Sequence, residues 1–165
     1  MFKNRQEYFT EGRKLENDFG KLLVEKCGGS ILHADQQTDI KNHIDLVWLP
    51  PKGRKCTFDV KGARKNARNN NFTSEENTWV EFRNVKGNLG SLFGKEDYIA
   101  FEKGNQWLIV RRNELAEKCM SLIKENKIYT ENPNENFLLY SRKDRKDIIM
   151  RIPVSLIENL ACRKI

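Results

Sequence analysis

The sequence has only two histidines, His33 and His43, and its four cysteines, Cys27, Cys56, Cys119 and Cys162, form no C-x-x-C pair. A structural zinc site of ordinary spacing is therefore not expected, and the scattered thiols read as packed groups in a reducing compartment, not as a disulfide framework. No apolar run approaches the roughly 20 residues that a membrane-spanning helix needs. The opening Met1-Phe2-Lys3-Asn4-Arg5 leads into charged residues, not into the apolar core of a signal peptide. Internal repeats are absent too, and the asparagines at Asn69 to Asn71 are the only low-complexity tract. The expectation from these absences is a soluble cytoplasmic protein with no membrane partner.

What the chain does have is charge. Its 165 residues are 38% hydrophobic and 32% charged, which suits a single domain over 1–165 with a real but modest core. Thirty Lys and Arg against 23 Asp and Glu give a formal +7, and the pI is near 9.3. Such a field favours polyanionic partners, nucleic acid before an anionic membrane.

Patterning centres on the stretch from His43 to Gly62. Apolar and polar residues alternate with period two on both sides of Pro50-Pro51-Lys52-Gly53, so the stretch reads as two strands joined by a turn. In the first strand Ile44, Leu46 and Trp48 point one way, and His43, Asp45 and Val47 the other. In the second, Phe58 and Val60 oppose Thr57, Asp59 and Lys61. Two acids and one lysine thus share one side of a hairpin whose other side is apolar.

A helix from Tyr8 to Cys27 precedes this hairpin, with Tyr8, Gly12, Leu15, Phe19, Leu22 and Leu23 on one stripe and Glu16 at its border. Ser30 to Ala34 reads as a short strand. After Gly62 the segment from Ala63 to Phe72 loses all periodicity and carries Arg64, Lys65 and Arg68 with no acid, as expected of a phosphate-contacting loop. Alternation returns from Thr78 to Arg83, where Glu81 would join the polar face if this strand paired beside Asp59. Strands from Asp97 to Glu102 and Gln106 to Val110 flank a Gly104-Asn105 turn. A helix from Arg112 to Glu125 follows, with Asn113 as expected N-cap. The last quarter reads as strands from Phe137 to Ser141 and Asp147 to Ile152, then a short helix to Cys162. The whole is an α/β chain: one central mixed sheet, the first helix on one side and the Arg112 helix behind it.

Asp45, 13 intervening residues and then Asp59-Val60-Lys61 place two carboxylates and an ammonium on one face of adjacent strands. Hard oxygen donors of this kind suit Mg²⁺, with Mn²⁺ as substitute, because these ions keep several waters and accept phosphate oxygens in their remaining positions. A lysine beside them can orient water or stabilise charge developing on a phosphate.

Asp45 and the Asp59-Val60-Lys61 tripeptide, preceded by a helix bearing Glu16, resemble the acid and the (D/E)-x-K motif of the PD-(D/E)xK nuclease superfamily. The opening E-G-R-K-L-E-N-D-F makes the chain most similar to archaeal-type Holliday junction resolvases and related phage nucleases. The resemblance spans about Arg13 to Lys61 and extends loosely to Val110. Ile44 stands where the family name has proline, and the Gln-x-x-x-Tyr signature of the exonuclease branch is missing. What the resemblance implies is a restriction-endonuclease-like core and Mg²⁺-dependent endonucleolytic hydrolysis of DNA, junctions or branches being the favoured substrates. It also implies a homodimer and a prokaryotic or phage-infected host cell. Its catalytic roles fall on Glu16, Asp45, Asp59 and Lys61, and its metal ligands on Asp45, Asp59 and Glu16; Glu81 is an expected auxiliary ligand from the strand reading alone. Arg13, Arg64, Lys65 and Arg68 are the expected DNA contacts. Two other classes fit the same residues: a catalytically silent nucleic-acid-binding module, and a phage or mobile-element inhibitor built on a nuclease-like scaffold.

Overall fold

The apolar stripe of the first helix decides how the layers stack. The computed structural model describes residues 5–35, 42–63 and 76–165, with side chains from residue 10 onward. Helix α1 (Arg5–Cys27) buries Phe19 and Leu23 completely, with Leu15 and Leu22 at the margin. Beneath it lie Leu46 of β2 (Leu46–Leu49), Phe58 and Val60 of β3 (Cys56–Lys61), Ala100 of β5 (Tyr98–Lys103), and Trp107 and Ile109 of β6 (Gln106–Arg111). The Phe19 ring stands 5.4 Å from Phe58 and 5.0 Å from Trp107, edge-on or tilted, as aromatic quadrupoles prefer.

These strands belong to a six-stranded sheet in the order β1-β2-β3-β5-β6-β10, where β1 is Ser30–His33 and β10 is Ala161–Lys164. An antiparallel meander β1-β2-β3 meets β5 in parallel, Asp59 opposite Ile99 and Lys61 opposite Phe101. The β5-β6 hairpin closes at Gly104-Asn105, with Gly104 in the left-handed region at φ 56. Strands β5 and β6 are covered on both faces. Ala100, Trp107 and Ile109 face α1, whereas Ile99, Phe101, Leu108 and Val110 enter a second core. Continuous apolar runs, not alternation, are what doubly covered strands require.

The second core is roofed by a separate four-stranded sheet, β4-β9-β8-β7, comprising Asn77–Arg83, Ile148–Pro153, Leu139–Tyr140 and Ile128–Tyr129. Helices α2 (Arg112–Ser121) and α3 (Val154–Leu160) complete it with Leu115, Ala116, Cys119 and Ile157. Burial pushes the Cys119 thiol up to about 12. The fold is thus α/β with mixed pairing and flanking helices, α1 and α2 on opposite faces as expected. It departs from the expected single sheet. Strand β4 pairs with β9, Val80 opposite Met150, and does not lie beside Asp59. Helix α2 ends at Ser121, four residues early, and its N-cap is Arg111, not Asn113, because β6 runs directly into the helix without a side-chain cap. Among the described residues no helix is long and apolar enough to cross a membrane.

Candidate functional site

Strand β3 has two covered faces of different chemistry. Phe58 and Val60 lie under α1, so period two sends Asp59 and Lys61 to the opposite side. That side is not open solvent. Asp59 is 3% exposed, its Oδ1 accepts a hydrogen bond from Lys61 Nζ at 2.8 Å, and Lys61 keeps 41% of its side chain exposed. Asp45 lies one residue before β2 begins, so the expected strand from His43 starts late. Its amide donates to Phe58 O at 2.8 Å and its Oδ2 accepts from Val60 N at 2.6 Å. The carboxylate therefore takes over the bond that a continued strand would have made to β3. His43, at φ 57, turns the chain into this position, and its ring Nε2 lies 3.0 Å from Leu89 O.

A glycine-punctuated turn then packs against the pair. Gly90 N donates to Phe82 O at 2.9 Å, Lys95 N to Asn42 O at 2.9 Å, and Asp97 N to Thr57 O at 3.1 Å. Arg112 crosses beneath, donating from Nε to Glu96 O at 3.2 Å and from Nη1 to Leu92 O at 3.0 Å. The turn thereby ties the end of β4 to the approach of β2 and the start of β5. Gly94 is needed for the close approach: a Cβ there would stand 2.0 Å from Glu96 Oε2 and 2.9 Å from His43 Cβ. Held by these bonds, Glu96 is only 2% exposed.

Charge at this place is unbalanced. Partial burial pulls the Lys61 ammonium down, but the Asp59 carboxylate, with Asp45 and Glu81 behind it, outweighs that and raises it above its ordinary value. Lys61 is therefore a firm cation. Glu96 is pushed up to about 8, first by burial and then by the Asp59 charge, against the weaker pull of its own amide, Arg112 and Lys61. Among the described residues four buried side-chain oxygens have no hydrogen-bond partner: Asp59 Oδ2, both oxygens of Glu96, and Asn42 Oδ1. Orphaned buried oxygens are rare enough in folded proteins to need an explanation.

The expected site residues divide into groups. Asp45, Asp59 and Lys61 are brought together. Glu81 acts on Lys61 electrostatically, from the second sheet and not from a strand paired with β3. Glu16 is engaged elsewhere: Arg13 Nη1 donates to its Oε2 at 2.8 Å, and His33 Nδ1 lies 3.5 Å from the same oxygen. Because Ala34 N donates to Asp45 O, that cluster stands one strand away from Asp45. Arg13 also approaches His33 Nδ1, at 2.9 Å. Arg64, Lys65 and Arg68 lie outside the described residues. Glu96 and Asn42 were not among the expected residues. Lys95-Glu96-Asp97 reads as a charged surface turn, and only the neighbouring Gly94 hints at a close approach.

Among the described residues no three side chains of His, Cys, Asp or Glu form a ready metal cage. Mg²⁺ does not require one, since it is commonly held by one or two carboxylates with water and phosphate oxygens completing the octahedron. Asp59, with one oxygen on Lys61 and the other unpartnered, fits that role. Compared with protein-family models, with curated proteins and with solved structures, the chain matches none.

Proposed function

We propose that the protein is a divalent-cation-dependent endonuclease hydrolysing phosphodiester bonds of DNA, on a restriction-endonuclease-like core. The observation that carries this reading is the buried Asp59 carboxylate, split between a lysine ammonium and an unpartnered oxygen, with Asp45 fixed beside it. The lysine covers one oxygen only, and a buried oxygen left without a donor is costly unless a further partner is supplied. The mixed sheet, with its antiparallel meander running into a parallel pair, is compatible with the family the motif resembles.

Asp59 and Asp45 would hold the cation. Bound there, Mg²⁺ supplies positive charge to the oxygens of the scissile phosphate and acidifies the attacking water. Lys61, kept protonated by its carboxylate neighbours, does not serve as a base; it presents N–H donors to a phosphate oxygen or to that water as negative charge develops. The exposed part of its side chain is where the phosphate arrives. Arg13 and Glu16 form a charged pair at the margin, and Glu16 joins the cation, as the resemblance implies, only on leaving Arg13 and His33. Branched or junction DNA is the favoured substrate, and its two-fold character suits a homodimer.

The test is nicking of supercoiled plasmid and of a four-way junction with Mg²⁺ or Mn²⁺, for wild type, Asp59→Asn and Lys61→Met. Both variants should lose cleavage by about two orders of magnitude or more while retaining DNA binding. Wild type that binds these DNAs and cuts none with either ion would instead mark a catalytically silent binding module.

A further inference from the structure

Three of the four orphaned oxygens lie outside the motif that led to the site. Two belong to the Glu96 carboxylate and one to Asn42, and these two residues sit on adjacent segments joined by the bond from Lys95 N to Asn42 O. The bonds from Lys95 N to Asn42 O and from Asp97 N to Thr57 O hold Glu96 between the approach to β2 and the start of β3, the segments that carry Asp45 and Asp59. Arg112 donates to main-chain oxygens of Glu96 and Leu92, so its hydrogen bonds do not satisfy the Glu96 side chain.

Two carboxylates and an amide oxygen, all buried, all oxygen and all short of donors, form the donor set of a hard cation. We propose that Glu96 is a ligand of the divalent cation, sharing it with Asp59, and that Asn42 Oδ1 provides a neutral oxygen beside it. The inner wall of the site is then built by the turn before β5, and the ligand that completes the shell comes from this turn and not from helix α1. This inference rests on the reading of Asp59 as a cation-binding residue.

The experiment measures Mn²⁺ binding to the full chain without DNA, by loss of the free-ion EPR signal and by the rise in Tm on adding Mn²⁺. Wild type is compared with Glu96→Gln, Asp59→Asn and Glu16→Gln. Loss of a ligand should weaken binding by roughly 10-fold or more, since even the partners of metal ligands are worth that much. The expected result is such a loss, with a diminished Tm rise, in Glu96→Gln and Asp59→Asn, and affinity within about two-fold of wild type in Glu16→Gln. Wild-type affinity in Glu96→Gln with loss in Asp59→Asn overturns the role of Glu96 and leaves the nuclease reading standing. Loss in Glu16→Gln but not in Glu96→Gln does the same. Absence of Mn²⁺ binding in wild type removes both. Should Glu96→Gln lack a cooperative unfolding transition without metal, Glu96→Asp keeps the charge and shortens its reach; it should fold and bind Mn²⁺ more weakly, and unchanged affinity overturns the proposal.

Discussion

Asp59 and Glu96 illustrate two ways a buried carboxylate is accommodated. Asp59 has a lysine 2.8 Å away, whereas Glu96 has no side-chain donor on its carboxylate, feels only a weak pull from its own amide, and is pushed from the usual 4.5 to about 8. Without a cation the folded protein therefore keeps a proton on Glu96 over a range where the unfolded chain has released it. More protons bound in the folded state means that stability falls as pH rises, beginning near the unfolded value and levelling off above the folded one. In EDTA, Tm should fall by roughly 10 °C between about pH 5 and about pH 8 through this group. Glu96→Gln, which cannot titrate, should remove most of that slope in a thermal melt series. An unaltered slope would mean that Glu96 ionises freely in the folded state.

At the level of elements, the site depends on α1 being clamped to the sheet. Phe19 is fully buried and packs on Phe58, the residue before Asp59, and on Trp107. Phe19→Ala should cost about 3–5 kcal/mol of unfolding free energy in urea, the range for deleting a buried aromatic ring. A cost below about 1 kcal/mol would show that the helix does not anchor this strand. The helix stripe and the two faces of β3 were legible in the sequence because amphipathic periods of 3.6 and 2 leave a direct trace. Strand partners joined by a tight turn were legible too, as in the β2-β3 and β5-β6 hairpins, but partners distant in sequence left no such trace. Alternation from Thr78 to Arg83 announces a half-buried strand but not which neighbour it takes, and it joined β9, carrying Glu81 into a second sheet. The edge strand Ala161–Lys164 was hidden because α3 runs into it with no glycine or proline to mark the change. Glu96 was hidden for a related reason: its burial is imposed by contacts of Lys95 with Asn42 and of Arg112 with the turn, both distant in sequence.

For the molecule as a whole, the formal +7 adds a long-range attraction to DNA that the buried site cannot supply. Asp59 and Glu96 are enclosed, so under the proposed nuclease function the phosphate backbone would have to be gripped by side chains around them. The chain leaves β3 at Lys61 and enters the stretch containing Arg64, Lys65 and Arg68, which adds three positive charges within seven residues of the proposed phosphate-facing ammonium. Each phosphate neutralised releases about 0.9 of a counterion from duplex DNA, so three contacts would contribute about 2.7 to the slope of log K against log salt concentration. Replacing Arg64, Lys65 and Arg68 together by Gln should make that slope shallower by about 2 to 3 in fluorescence-anisotropy titrations run in EDTA, where no cleavage competes. Because Asp45, Asp59 and Lys61 are untouched, the same triple variant should raise KM far more than it lowers kcat. A slope equal to that of wild type would place the phosphate grip on other basic residues, and a collapse of kcat at saturating DNA would mean that this stretch orders the catalytic groups themselves.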